Sequence, residues 1–348
     1  MDRVFAGQRV LVVGGAGFVG SNLVRDLVAQ GAAEILVIDN LLSAERANLP
    51  DGAMVTFIEG SITAEAILAR LQDDLDYVFH LATFHGNQNS IHDPLADHAQ
   101  NTYTTLRLFE RIKVCRRLKK VVYSGAGCTA AEKTSGAARA TTEDDPISLR
   151  HDSPYQISKL IGEMYAYYYA QRHGLPVVVA RFQNVFGPGE ILGAGRWRGT
   201  PATVWRNVAP TFVYLGLKRC ALPVEGAGEA TRDFIYVGDI VAGLQACALR
   251  GTPGEAYNLA SGTQTSIRNL AGLVNTLTGN AAPIEWRPAR DWDHSGKRFG
   301  STVKAAQALG FSAQVGLEEG LRRTIAWTQE HLPLIDACIQ RHALHMAR

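Results

Sequence analysis

The sequence predicts an α/β protein whose core is a doubly wound parallel sheet, and three observations support that class. Short β-branched apolar runs alternate with longer segments of helical periodicity throughout the first half of the chain. These runs are apolar at nearly every position, which is typical of strands whose two faces are both covered by helices. The first run leads directly into a glycine-rich turn and then into a helix, the local order of a βαβ unit.

Six strands are predicted in this half, each short and rich in valine, isoleucine and leucine. Their bounds are Arg9–Val13, Glu34–Asp39, Val55–Glu59, Tyr77–Leu81, Lys120–Ser124 and Pro176–Arg181. The helical segments between them are Val19–Gln30, Ala64–Leu71, Asp97–Arg117 and Pro154–His173. Because each helix connects two strands that run in the same direction, we expect helices on both faces of one sheet.

The chain changes character after the sixth strand. Glycine, arginine and tryptophan crowd the segment Gly187–Arg206, which predicts a long irregular loop, and long loops in compact domains are usually functional. From Thr265 onward the pattern is mostly helical and opens with a Thr/Ser cap before Ile267. We therefore expect a larger domain of residues 1–182 and about 232–262, and a smaller mixed α/β domain of residues 183–231 and 263–348.

The composition of the 348 residues is that of an ordinary globular protein, with 46% apolar and 20% charged residues. The net charge of +2 at pH 7 argues against a nucleic-acid or membrane-surface binder, which normally carries a concentrated basic excess. The densest basic run, Lys113–Lys120, is predicted to form the solvated face of a helix just before a strand.

Other features of the sequence bear on location and on metals. No run approaches the ~20 apolar residues of a membrane span, and the first residues lack the layout of a signal peptide. The five cysteines are odd in number and include no CxxC pair, which is typical of reduced thiols in a cytoplasmic protein. The ten histidines show no HxxxH or HExxH spacing, so we expect no metal site.

The first strand ends in the turn Gly14-Gly15-Ala16-Gly17-Phe18-Val19-Gly20. In such a unit Gly14 permits the tight turn, Gly17 lets the backbone approach a pyrophosphate, and Gly20 lets the helix pack closely on the strand. The next strand ends in Asp39, where a carboxylate accepts hydrogen bonds from the adenosine ribose and repels the extra phosphate of NADP. The two features together predict a Rossmann-type domain that binds NAD.

A second motif opens the predicted helix Pro154–His173. Tyr155 and Lys159 are four residues apart and therefore lie on one helix face. A nearby cation stabilises tyrosinate and is expected to lower the pKa of the phenol, which makes Tyr155 a usable base. The YxxxK pattern alone is common, so its meaning depends on the motifs around it.

Those motifs occur in one order along essentially the whole chain: His80-Leu81-Ala82, Ser124 at a strand end, SPYQISKLIGE, RFQNVFGP, TRDFIYV and YNLASG. This series resembles the extended short-chain dehydrogenases/reductases that modify nucleotide sugars. Members include UDP-glucose 4-epimerase, dTDP-glucose 4,6-dehydratase and GDP-mannose 3,5-epimerase. The loop GEILGAGRWRGTPATVWRNVAP is most similar to nucleotide-sugar epimerases from bacterial O-antigen gene clusters.

The resemblance implies roles for individual residues. Tyr155 would take the proton of a sugar hydroxyl while a hydride leaves for NAD, and Lys159 would hold the nicotinamide ribose. Asn184 would bond the substrate near its diphosphate, and Arg232 would pair with that diphosphate. The remaining cofactor residues implied are Phe18, Val19, Asn40, Ser61, Ile62, Leu81, Ala82, Thr83 and Asn101. The remaining substrate residues are His85, Asn87, Arg196, Arg198, Asn207, Val208 and Arg290, with Arg196 and Arg198 as a clamp on the sugar.

The chain departs from the family at its third catalytic position. That position holds Ala126, which has no hydroxyl, so Ser124, Thr83, Thr129 or another group must do its work. The dehydratases carry an Asp-Glu pair next, where this chain has Gly127-Cys128. Cys128 aligns with the acid/base cysteine of GDP-mannose 3,5-epimerase, although Gly199 stands where that enzyme has its companion lysine. Cys128 is either a proton shuttle at carbon or a small filler of space.

The expected activity is NAD-dependent epimerisation of a nucleotide-activated sugar through a transient 4-keto intermediate. The alternatives are a dehydratase or decarboxylase that uses the same intermediate, and a non-catalytic NAD-sensing protein. The nucleotide of the sugar stays open among UDP, dTDP, GDP and CDP. The family's dimer is built from the helices that correspond to Asp97–Arg117 and Pro154–His173, so we expect a homodimer in the cytoplasm, with no nucleic acid and no membrane as partner.

Overall fold

The computed structural model describes residues 3–130 and 136–347, and the following elements lie within them. The strands are β1 (Arg9–Val13), β2 (Glu34–Asp39), β3 (Val55–Glu59), β4 (Tyr77–His80), β5 (Lys120–Ala126), β6 (Val177–Phe182), β7 (Asn184–Phe186), β8 (Leu222–Glu225), β9 (Thr231–Tyr236), β10 (Ala256–Leu259), β11 (Gln264–Ser266) and β12 (Ile284–Arg287). The helices are α1 (Phe18–Gln30), α2 (Glu65–Leu68), α3 (Asn87–His92), α4 (Pro94–Asp97), α5 (Thr104–Ile112), α6 (Gly127–Ala130), α7 (Pro154–His173), α8 (Val208–Leu217), α9 (Val237–Arg250), α10 (Ile267–Thr278), α11 (Val303–Leu309), α12 (Leu317–Glu330), α13 (Leu332–Gln340) and α14 (Ala343–Met346).

Seven parallel strands form the large sheet, in the order β10-β6-β5-β4-β1-β2-β3. Successive residues of β1 point to opposite faces. Val10 and Val12 pack against α1 and α9, whereas Leu11 and Val13 pack against α5 and α7. Both faces are therefore buried, which explains why the strands are apolar throughout and confirms the doubly wound class.

The strand order reverses between β1 and β4, because the chain adds β2 and β3 on one side of β1 and β4, β5 and β6 on the other. At such a switch point the loops after the two central strands diverge and leave a crevice at the carboxyl edge of the sheet. The glycine turn after β1 and residues 81–85 after β4 form the walls of this crevice.

A smaller part of the chain lies over that edge. Two small sheets, β11-β9-β7 and β12-β8, share an apolar core with α8, α10 and α12. The cap expected before Ile267 is present, since the Ser266 side chain accepts a hydrogen bond from the amide of Asn269. Strand β9 pairs within the small sheet, although its Ile235 packs into the core of the large sheet, which α9 and β10 then join.

The segment expected as one helix, Asp97–Arg117, is divided into three pieces. After α4 a π-helical turn, His98–Tyr103, widens the backbone, and α5 ends at Ile112. The basic run Lys113–Lys120 therefore lies past the end of α5, and the prediction that it forms a face of a helix was wrong. Like charges on successive turns oppose helix formation, and Arg117 and Lys119 instead pair with the buried Asp76.

Candidate active site

A cavity of about 1050 Å³ extends from the switch point of the large sheet to the small sheets. One end is lined by the glycine turn and Asp39, the middle by Tyr155 and Cys128, and the other end by arginines of the small domain. The cavity therefore has room and polar groups for a dinucleotide and a second ligand that meet at Tyr155.

The glycine turn is shaped for close approach of a ligand. Gly14 has φ of 86°, a backbone conformation that side chains rarely adopt, and a Cβ there would overlap the backbone of Ala82. A Cβ at Gly20 would overlap the carbonyl of Gly14. Gly17 caps α1, whose first amides point into the cavity end where a pyrophosphate is favoured.

Asp39 lies at the end of β2, beside this turn. Its carboxylate accepts hydrogen bonds from the amides of Ala16 (3.0 Å) and Leu41 (2.9 Å), and it lines the cavity. Burial raises the pKa of Asp39, and the backbone hydrogen bonds oppose that rise. A buried carboxylate with free lone pairs at this place fits the ribose hydroxyls of NAD and repels a 2′-phosphate.

The other cofactor residues expected from the sequence line the same cavity, with one exception. Those in the lining are Phe18, Val19, Asn40, Ser61, Ile62, Leu81, Ala82 and Thr83. Asn101 is the exception: it is buried behind the wall, and its amide bonds Asp97 (2.8 Å), Ser158 (3.0 Å) and Thr83 (3.0 Å). In this structure Asn101 supports the wall from behind, and its contact with the cofactor stays a prediction.

Helix α7 places the two catalytic candidates. Ser153 caps its first turn, and Tyr155 and Lys159 both face the cavity. The ammonium of Lys159 donates to Ser124 Oγ at 3.3 Å and lies 5.0 Å from the centre of the Tyr123 ring. Burial lowers the pKa of Lys159 to about 8, and the negative charge of Asp97 opposes that shift.

The expected lowering of the Tyr155 pKa is absent. Burial raises the pKa of this phenol, and the charges of Cys128 and Tyr123 raise it further, because each disfavours a tyrosinate. A hydrogen bond with Thr83 acts in the opposite direction. Burial therefore disfavours the tyrosinate in this cavity, and positive charge added beside Tyr155 would oppose that effect.

The three hydroxyls that could do the work of the one missing at Ala126 lie in different surroundings. Thr129 donates to the carbonyl of Ala126 (2.7 Å) and does not line the cavity. Ser124 lines the cavity but donates to the carbonyl of His80 (3.0 Å). Thr83 lines the cavity near Tyr155, and its hydroxyl donates to Asn101 Oδ1 (3.0 Å), so all three hydroxyl protons are used within the protein and the structure selects none of the three.

Cys128, in α6, lines the cavity between Tyr155 and the arginines. Its thiol is half-buried and forms no disulfide. The charge of Cys128 acts on the pKa values of Tyr155, Lys159 and Arg232, which places the sulfur near all three. Cys128 and Tyr155 therefore face the same part of the cavity.

The far end of the cavity carries clustered positive charge. Arg232 and Arg290, both expected from the sequence, line it together with Arg298, which sequence reasoning missed. Arg232 donates to the carbonyl of Gly296 (2.8 Å) and lies 3.5 Å from Asp293. Burial and the charge of Arg298 lower the pKa of Arg232 to about 9. Arg290 pairs with Glu225 and Arg232 lies beside Asp293, so a diphosphate bound here would share these guanidinium groups with two carboxylates.

Of the other substrate residues expected, some face the cavity and two do not. Those in the lining are His85, Asn87, Asn184, Asn207 and Val208. Arg196 is exposed and donates to the carbonyl of Asn40, and Arg198 is buried and donates to the carbonyl of Leu42. Neither lines the cavity, so their assignment as a clamp on the sugar is corrected.

Glu190 and Arg206 also line the cavity and were not predicted from the sequence. Burial raises the pKa of Glu190 to about 7, although Asn207 donates a hydrogen bond to it. The charges of Arg206 and Arg198 reinforce burial in lowering the pKa of His85 to about 3. In the sequence, the position of Arg206 beside Asn207 was the one indication that Arg206 could line the cavity.

Within residues 3–130 and 136–347 no helix is long and apolar enough to cross a membrane. The same residues contain no group of three or more histidines, cysteines, aspartates or glutamates placed to hold a metal ion.

The chain is similar to several known proteins. Residues 10–260 match the profile of the "NAD dependent epimerase/dehydratase family". The crystal structure of the Bordetella bronchiseptica enzyme WbmF in complex with NAD+ and UDP is 56% identical, with a TM-score of 0.90 over 100% of this chain and 99% of that one. The UDP-glucose 4-epimerase of Mycolicibacterium smegmatis is 29% identical over 91% of this chain and 97% of its own length. The dTDP-glucose 4,6-dehydratase of Streptomyces antibioticus is 28% identical over 93% of each.

Proposed function

Since the chain belongs to the NAD dependent epimerase/dehydratase family, we propose that it epimerises a nucleotide-diphosphate sugar through a 4-keto intermediate, with NAD as its cofactor. The reaction type is inferred from one observation. Tyr155 lines the cavity between the glycine turn and the arginine cluster, and Cys128 lines it too, at the sequence position where a dehydratase has its acid pair.

The residues at the first end of the cavity fit NAD. The glycine turn leaves space at the amino end of α1 for a pyrophosphate, and Asp39 offers its carboxylate to a ribose. When bound, NAD would supply the acceptance and return of one hydride and a positive ring beside Tyr155. That positive charge would offset the burial that raises the pKa of Tyr155.

Tyr155 then accepts the proton of the C4 hydroxyl as the hydride leaves the same carbon, which yields a ketone. Thr83 and Lys159 line the cavity with Tyr155, and the ammonium of Lys159 would add positive charge on the side of the phenolic oxygen. In the return step Tyr155 gives the proton back as the hydride returns to C4. Return to the opposite face of C4 inverts that carbon.

Cys128 offers a second route to inversion. A ketone at C4 acidifies the hydrogen on the neighbouring carbon, and a thiolate can remove that proton and let it return on the other face from a second donor. The missing Asp-Glu pair removes the acid and base that water elimination needs. Epimerisation therefore suits this chain better than dehydration.

The arginine cluster supports a diphosphate as the anchor of the substrate. Arg232, Arg290 and Arg298 surround the far end of the cavity, and Asn184 and Asn207 line the path to Tyr155. The structure of WbmF contains UDP, which supports a UDP-sugar among the four nucleotides considered. We further propose that the protein acts in the cytoplasm as a homodimer.

The test is a panel of UDP-, dTDP-, GDP- and CDP-sugars incubated with the enzyme in deuterated water. We expect an epimerised UDP-sugar, with Tyr155→Phe slower by roughly 10²- to 10⁴-fold because it lacks the general base. Deuterium at a carbon next to C4 would identify the Cys128 route, and inversion without deuterium would identify C4. Loss of water or of CO2 instead of epimerisation, or no turnover with any sugar, would contradict the proposal.

A further inference from the structure

The irregular segment after β7 lines the cavity with Glu190, Ala202, Trp205 and Arg206 and is bonded to several parts of the cavity wall. We call residues 188–206 the crossing loop. At its start, Asn22 of α1 donates to the carbonyl of Pro188 (2.9 Å), and Asn48 donates to the carbonyl of Gly189 (3.0 Å). The loop is thus anchored beside the glycine turn, where the pyrophosphate of a dinucleotide is expected.

The middle of the loop is bonded to the chain that follows β2. The amide of Arg196 donates to the carbonyl of Leu42 (3.0 Å), and the guanidinium of Arg206 donates to the carbonyl of Ser43 (2.8 Å). The amide of Gly195 donates to the Glu45 carboxylate (2.9 Å). These residues continue from Asp39, so the loop is attached to the wall on the ribose side.

The loop is also bonded to the opposite wall. The Thr200 hydroxyl donates to the side chain of Asn89 in α3 at 2.6 Å. Gly199, with φ of 96°, lies so close to His92 that a Cβ there would overlap the imidazole ring. Residues 40–44 and the start of α3 both line the cavity, so the loop connects two separate parts of its wall.

The loop carries two guanidinium groups, that of the buried Arg198 and that of the half-buried Arg206. Within the described residues Arg198 and Arg206 form no ion pair, and the Nε of each has no hydrogen-bond partner. Two acids act on Arg206: burial raises the pKa of Glu190 to about 7, and Glu45 is already paired with Arg341. Buried charges need a counter-charge, and Arg206 lines the cavity. An anionic group of a ligand would supply it.

The end of the chain holds the loop from outside. His342 Nε2 donates to the carbonyl of Gly193 (2.9 Å), and the His345 ring stacks on Trp197 at 4.9 Å with an angle of 10° between the planes. Arg341 pairs with Glu45 at 2.7 Å. The segment α13–α14 therefore contacts the loop and the wall to which the loop is bonded.

From this arrangement we infer that the crossing loop is a lock on the bound dinucleotide, and that α13–α14 keep the lock shut. Arg206 supplies positive charge to the pyrophosphate of that dinucleotide. Release of NAD requires the loop to leave one wall, whereas a sugar nucleotide enters from the small-domain end. The inference rests on the cofactor role proposed above and adds the path by which the cofactor is retained.

The test is the rate at which NAD on the purified holoenzyme exchanges with an excess of isotopically labelled NAD, followed by mass spectrometry of the bound fraction. Trp197→Ala removes the stack with His345, and Arg341→Gln removes the ion pair with Glu45. We expect exchange to become at least about tenfold faster in each variant. Trp286→Ala is the matched control, because Trp286 is exposed on β12 and contacts Arg268 instead of the loop.

The outcomes separate the lock from the proposed function. Exchange within twofold of the parent in both variants, with normal thermal unfolding, would overturn the lock and leave the enzyme's activity untouched. A purified protein that binds no NAD in solution would overturn the proposed function itself. Arg206→Met should also accelerate exchange, and an unchanged exchange rate with weaker binding of a sugar nucleotide would show that Arg206 serves the sugar instead.

Discussion

Asp39 and Cys128 illustrate how single residues act in this cavity through their surroundings. Asp39 holds the glycine turn by its bond to the amide of Ala16 and still presents lone pairs to the cofactor site. Cys128 lies among Tyr155, Lys159 and Arg232, so its sulfur can exchange a proton with a ligand that reaches Tyr155. Each role can be tested by a substitution that preserves size.

Asp39→Asn should weaken NAD binding by roughly 10- to 100-fold, because a hydrogen bond to a charged group contributes about 1.5–3 kcal/mol. NADP binding should change less or improve, since the carboxylate no longer repels the 2′-phosphate. Calorimetric titration of the cofactor-free protein with each nucleotide measures both effects. An equal loss for NAD and NADP would show that Asp39 supports the turn alone.

Cys128→Ser tests whether the thiol is an acid/base or a filler. A serine hydroxyl is far too weakly acidic to replace a thiolate near neutral pH, although it fills nearly the same volume. If inversion occurs beside C4, the variant should accumulate reduced cofactor, visible by its absorbance, without epimerised product or uptake of deuterium. Full epimerase activity in the variant would remove the catalytic role and identify C4 as the inverted carbon.

At the scale of elements, α7 and the π-helical turn together place the catalytic pair. The cap at Ser153, the proline at the first helical position and Gly174 with φ of 64° determine where α7 begins and ends. The turn His98–Tyr103 carries Asn101, whose amide connects Ser158 of α7 to Asp97. The buried carboxylate of Asp97 thereby acts on Lys159 from behind the cavity wall.

Asp97→Asn should shift the pH dependence of turnover. Asp97 raises the pKa of Lys159, which burial lowers to about 8, so the variant should have a lower Lys159 pKa. The cation is then lost at lower pH, and the basic limb of the kcat profile should move toward acid. An asparagine oxygen can still accept from Asn101, which preserves the geometry.

The matched control is Asp93→Asn, because Asp93 caps α4 with a bond to the amide of Ala96 at an exposed position. Its pH profile should match that of the parent. A basic limb that stays in place in Asp97→Asn would show that Asp97 does not support the charge of Lys159.

At the scale of the whole molecule, one face of α7 has no partner within the described chain. Ile157, Met164 and Tyr168 recur at helical spacing and are 45%, 52% and 52% exposed, and Tyr103 beside them is 44% exposed. Tyr169 points inward and is buried. Apolar and aromatic side chains on one face are typical of interface cores.

The homodimer proposed for this protein should use that face. Met164→Glu combined with Tyr168→Glu places two charges on it and should convert a dimer into a monomer in sedimentation velocity. Val303→Glu is the control, because Val303 is 59% exposed on α11, outside this face. A parent that sediments as a monomer at every concentration would rule the homodimer out.

The sequence by itself determined the cofactor half of the protein. Four elements have the bounds that were predicted: β1, β2, β3 and α7. The alternation of apolar runs with helical segments, the helix caps and the glycine positions are local signals, and tertiary contacts do not override them in these elements. The family followed from motifs in a fixed order. The cavity lining expected for Asp39, Tyr155, Lys159 and Cys128 is found in the structure.

Tertiary structure alone decided which polar groups the cavity uses. Arg196 and Arg198 are near each other in sequence, yet the loop turns both toward the chain after β2, while Arg206 lines the cavity. The side-chain amide of Asn101 finds its hydrogen-bond partners behind the cavity wall, in residues that are 4 to 57 positions away in the sequence. Such choices depend on burial and on hydrogen bonds between distant segments, and no local pattern encodes them.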